Sequence, residues 1–138
     1  MNKLTPTLVL AALVAAVAAA TASAAPPTAS IMIRHQLQGC HSWSVNGNAF
    51  AATQKIVVHR ATAFTVTDND VMPHTLVQLS GPKVSLVAPA MSKPGAHASF
   101  RLLEKGTYVF RTKAGEDWMK GMVTKGPDNV LRLTVIVR

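Results

Sequence analysis

Three short stretches of this chain carry the side chains whose chemistry suits a metal ion. Gly39-Cys40-His41-Ser42 sets a thiol beside an imidazole. Asp68-Asn69-Asp70-Val71-Met72-Pro73-His74 ends in an imidazole held behind a proline. Gly115-Glu116-Asp117-Trp118-Met119, some 42 positions further on, adds carboxylates and a thioether, with Met122 close behind. Thiolate and imidazole serve zinc as well as copper, so donor type alone does not choose the ion. Other chemistries fare badly. No Ser/His/Asp or Cys/His order comes with its motif, no H-E-x-x-H occurs, and no phosphate loop is present. Six acidic residues, with Glu116 and Asp117 adjacent, give no convincing general acid–base pair, and no enzymatic activity is expected.

Cys40 is the only cysteine, so no internal disulfide can form. The compartment makes this unusual. Lys3 precedes an apolar run from Leu8 to Ala20, and Ala22-Ser23-Ala24 offers small residues for cleavage, the pattern of a secretory signal peptide spanning residues 1–24. The apolar run falls short of the ~20 residues that cross a bilayer. Exported proteins usually pair their cysteines, which leaves intermolecular pairing, burial as a small apolar residue, or metal ligation for Cys40. The expected mature chain holds about 114 residues, enough for one domain with a single core. It keeps 13 basic against 6 acidic side chains. These charges are scattered singly, as on solvated strand faces, and with the leader they argue against a nucleic-acid partner.

The elements that must position the three stretches are strands. After a linker over residues 25–30, the strands expected are Ile31–His35, Lys55–His59, Ala63–Thr67, His74–Leu79, Val84–Val87, Ala98–Leu103, Thr107–Arg111 and Val130–Val137. The last is the clearest, with Leu131, Leu133, Val135 and Val137 on one face and Arg132 on the other. Glu104-Lys105-Gly106 is a tight turn. Outside the leader no helical period appears, so an all-β antiparallel sandwich of about seven or eight strands is expected. Gly39–Thr53 and Lys113–Asn129 do not fit as strands, and long connections of this kind tend to carry function.

From Lys55 to Arg138 the pattern resembles a cupredoxin, the Greek-key copper-binding sandwich. Phe64-Thr65-Val66-Thr67-Asp68-Asn69-Asp70-Val71-Met72-Pro73-His74 is similar to the family's strand and N-x-D-x-x-P-H loop. Lys93-Pro94-Gly95 through Ser99-Phe100, and then Gly106-Thr107-Tyr108-Val109-Phe110, resemble its central hairpin. The resemblance implies copper as cofactor and His74 as its first ligand. It fails where the family's cysteine should stand, because Phe110 is followed by Arg111 and Thr112. The family's second histidine falls on Glu116 or Asp117, and its methionine on Met119 or Met122. A blue-copper site needs two imidazoles, a thiolate and a weak axial thioether, which the late loop alone cannot supply.

In that fold the first strand runs toward the copper end, so a bend at Gly39–Ser42 would bring Cys40 and His41 to the site from the opposite side. The ligand set implied is His74, Cys40 and His41, completed by Met119 or Glu116, with Asp117 and Met122 as alternatives. One-electron transfer is the leading expectation, with a redox partner. The others are copper chaperone or storage, with a copper-handling partner, and a metal-free interaction module. His35 ends its strand without ligating. His59 and His97 face solvent, and Trp43 and Trp118 are apolar cover or ordinary core. A thioether surface from Met72 and Met91 together with Met119 and Met122 would suit Cu(I).

Overall fold

Alternation of inward apolar and outward polar side chains builds nearly every strand of the computed structural model, which describes residues 24–35, 41–114 and 130–138. Nine strands are described: β1 Thr28–His35, β2 His41–Val45, β3 Thr53–Val58, β4 Thr62–Asp68, β5 His74–Ser80, β6 Ala90–Met91, β7 Ala96–Leu102, β8 Gly106–Ala114 and β9 Val130–Val137. They form a four-stranded sheet ordered β2-β1-β4-β7 and a five-stranded sheet ordered β3-β9-β8-β5-β6. No helix occurs among the described residues.

The all-β sandwich is as expected, with some differences. β1 pairs parallel to β4 and β3 parallel to β9, so both sheets are mixed. Thr28–Ser30, expected as linker, already belong to β1. His41–Val45, expected as connection, is a strand buried at every position. It escaped the alternation rule because both of its faces are covered, and period two disappears when neither side meets water. Val84–Val87 is not a strand and makes only a bridge from Val87 to Ser99.

The two sheets close on Ile31, Ile33, Phe64, Val66 and Phe100 from one side and Leu76, Tyr108, Phe110, Leu133 and Val135 from the other. Phe100 stacks on Phe64 at 4.8 Å and meets Phe110 across the sandwich at 4.6 Å. At one edge Gln78 ties the chain back on itself, its amide donating to Pro82 O (2.7 Å) and accepting from Val84 N–H (2.9 Å). Gly81 lies in this turn at φ +98°, and a Cβ there would sit 2.6 Å from Thr107 O and 2.9 Å from Tyr108 Cα. Both obstacles are backbone. The Gly81→Ala variant is expected to lose ~2–4 kcal/mol from backbone strain and overpacking; urea unfolding checks it, and a loss below ~0.5 kcal/mol would show that the turn relaxes.

Strand parity also aims polar groups inward at one end. Ile31 and Ile33 point into the core, so His35 follows on the same face. In the β1–β2 register Ile31 is opposite Val45, Ile33 opposite Trp43, and His35 opposite His41. On β4, Phe64 and Val66 are followed inward by Asp68, and β5 begins inward at His74.

Candidate metal centre

The loop between β4 and β5 is shaped by its own carboxylates. Asp68 Oδ1 accepts from Asp70 N–H (2.9 Å), and Asp70 Oδ1 accepts from Met72 N–H (3.0 Å). These are two successive turns in which an aspartate binds the amide two residues on. Asn69 N–H donates to Ile33 O and Gly95 N–H to Asp68 O, which pins the loop to β1 and to the start of β7. The result turns Asp70 into the protein, where it is fully buried.

Three imidazoles surround that carboxylate. His41 Nδ1 donates to Asp70 Oδ2 at 2.5 Å, and His74 Nε2 reaches the same oxygen at 3.4 Å. His35 Nδ1 lies 3.8 Å from Oδ1. The His41 and His74 rings meet edge to face with centroids 4.9 Å apart, and the His35 and His41 rings are 5.7 Å apart. His41 and His74 are buried, whereas the His35 side chain is 48% exposed and forms the mouth of the cluster. Among the described residues His41 Nε2 and His74 Nδ1 find no hydrogen-bond partner. A buried polar atom left unpaired costs ~1–3 kcal/mol.

Burial drives the Asp70 carboxyl upward, but the His41 and Met72 hydrogen bonds, the His41 charge and the His74 contact outweigh it and hold it below the usual carboxylate range. Burial and the neighbouring His41 depress His74, against the pull of Asp70, so His74 is neutral at ordinary pH. A neutral imidazole is the form that binds a metal. Asp68 goes the other way. Burial, opposed by the Asp70 and His74 amides and reinforced by the Asp70 charge, pushes it up to about 6. In metal-free protein its contribution to stability is full below the unfolded value of 3.8 and lost as pH rises through 6. Asp68→Asn removes that dependence. Between pH 4 and pH 7.5, parent stability minus variant stability should therefore fall by up to ~3 kcal/mol. Chemical unfolding at the two pH values measures it, and a constant difference would refute the assignment.

Of the residues expected from sequence, His74 and His41 meet at this end. Cys40, Glu116 and Met119, with Asp117, Met122 and Trp118, lie outside the described residues. His41 stands on β2 opposite His35, while Gly39 and Cys40 of the expected bend lie outside the described residues. Asp70 and His35 were missed as site residues. The parity of β1 carried the signal for His35, and the spacing of Asp68 and Asp70 carried it for the inward turn. Thr112, at the position of the family's cysteine, is buried with its hydroxyl unpartnered among the described residues. Met91 pairs opposite His74 and is fully buried in the core, so it offers no thioether surface with half-buried Met72. His59 and His97 are exposed, as expected. Trp43 is fully buried, its indole N–H donating to Ala52 O at 3.2 Å.

No helix among the described residues is long and apolar enough to cross a membrane. No family model matches the chain, and no curated protein sequence matches it. Solved structures do. A multi-copper oxidase from Pseudomonas thermotolerans superposes with TM-score 0.50 at 12% identity, covering 84% of this chain and 30% of the oxidase chain. A purple cupredoxin from Nitrosopumilus maritimus gives 0.42 at 16% identity, covering 77% of this chain and 97% of that one. A cysteine protease inhibitor from Entamoeba histolytica gives 0.41 at 15%, covering 62% and 85%. These are likenesses of architecture. In its two mixed sheets, and in the overlay on the oxidase, this chain has the fold of a cupredoxin-like β-sandwich.

Proposed function

We propose that this is an exported protein that holds one copper ion at the end of the sandwich where His41 and His74 meet, and that it carries single electrons. One observation supports the ion above all. Two fully buried imidazoles close on a single buried carboxylate, and each keeps a ring nitrogen that no described residue uses. Those donors fit copper, for which imidazole is a good ligand in the divalent state. His41 and His74 would hold it, with Cys40, Met119 or Glu116 as further candidates. Bound copper would supply a one-electron couple. The protein's part is to fix the imidazoles, and Asp70 grips both rings. The leader over residues 1–24 supports export, and a redox partner outside the cytoplasm would follow.

Copper titration of the metal-free protein is the test. A ligand that binds only the folded state stabilises it by ~2.7 kcal/mol at a hundred times its dissociation constant, which for a domain of this size raises Tm by about 10 °C. Voltammetry of the copper-loaded protein should then show a reversible one-electron wave. Copper bound without such a wave would favour a chaperone or storage protein. An unmoved Tm would leave a metal-free interaction module.

A further inference from the structure

Beyond the buried pair, one group reaches both the site and solvent. His35, on the last position of β1, is directly opposite His41, the first of β2, and strand parity turns both toward the same face. One nitrogen from His35, one from His41 and one oxygen of Asp70 all lie within 4.8 Å of one another. Separate elements hold them: β1, β2 and the β4–β5 loop. The loop itself is pinned to β1 by the hydrogen bond from Asn69 to Ile33. His74 Nε2, 3.4 Å from the same Asp70 oxygen, stands as a fourth group.

We infer that the ion at this end is taken up in its divalent state and that its shell includes His35 and Asp70 beside His41, so that the Cys40 thiolate is dispensable for binding. Three features carry this. The donors are imidazole nitrogens and a carboxylate oxygen, a set that suits Cu(II) or Zn(II) and needs no sulfur. The carboxylate is buried, and a buried carboxylate gains from a cation held against it. Finally, His41 keeps one ring nitrogen, Nε2, that no described residue uses. Half-exposed His35 closes the shell on the solvent side and is the ligand that an ion meets first and leaves last.

This inference rests on the reading that an ion is held here, and not on what that ion does. Cu(II) and Zn(II) are each titrated by competition with a chromophoric chelator into the metal-free parent, Cys40→Ser, His35→Gln and Asp70→Asn. His35 is half exposed, so His35→Gln should fold even if Asp70→Asn does not. Cys40→Ser is expected to bind both ions within about threefold of the parent, while His35→Gln and Asp70→Asn weaken both by at least ~10-fold. Electron paramagnetic resonance of the Cu(II) form should show coupling to imidazole nitrogens, lost in part in His35→Gln. Suppose instead that Cys40→Ser abolishes binding or an intense visible band, while His35→Gln binds like the parent. The thiolate is then in the shell, and this inference fails with the proposed function intact. A parent that binds neither ion overturns both.

Discussion

Replacing Asp70 with alanine is expected to cost ~3–5 kcal/mol of stability near neutral pH and to weaken Cu(II) binding at least 100-fold. The carboxylate accepts from the His41 ring, the His74 ring and the Met72 amide, all at buried or half-buried sites. Alanine leaves every one of these donors unpaired, and His74 then has no partner on either nitrogen among the described residues. Each abandoned buried donor costs ~1–3 kcal/mol. The loss should depend on pH. Because the fold holds Asp70 below its ordinary value, its contribution is present above the unfolded value of 3.8 and fades as pH falls below it. Parent and variant should therefore converge in strong acid and diverge toward neutrality. Urea unfolding of metal-free protein at a series of pH values measures the gap; a gap under ~0.5 kcal/mol at pH 7.5 would mean that the cluster is solvated and not built.

The second large effect lies in the core. Phe100 stacks on Phe64 at 4.8 Å and touches Phe110 of the opposite sheet at 4.6 Å, so it is the ring that joins the two layers. Phe100→Ala is expected to lose ~3–5 kcal/mol, the lost transfer free energy plus the cavity left between layers that cannot collapse together. Phe100→Leu keeps most of the volume and should lose under about 2 kcal/mol. Thermal unfolding of the three proteins gives the ranking. Equal losses for leucine and alanine would mean that ring geometry, and not filled volume, holds the sheets together. If the alanine variant still folds, its metal affinity should change little, because Phe100 pairs with Phe64 while the cluster sits beyond Asp68 at the far end of β4. That separates loss of packing from loss of the site.

The sequence by itself determined the strands whose two faces see different solvents. In β9 the alternation of Leu131, Leu133, Val135 and Val137 with Arg132 could only be a half-buried strand, and its bounds are those expected. The Asp68–His74 loop was legible because aspartate, proline and the preceding alternation each act over a few residues. His74 was singled out by the family resemblance and not by local pattern. Tertiary structure decided what local pattern does not encode. Both faces of β2 are covered, which hid it as a strand. Val84–Val87 has strand-like residues, but among the described residues its only β-pairing is the bridge from Val87 to Ser99. The parallel pairing of β1 with β4 joins residues more than thirty positions apart. The centre belongs to the same class. Asp70 became its hub because hydrogen bonds from the loop to β1 and β7 turn it inward. His35 joined because the β1–β2 register sets it opposite His41. Parity predicts the face on which a side chain lies; only the pairing of distant strands decides which side chains share that face.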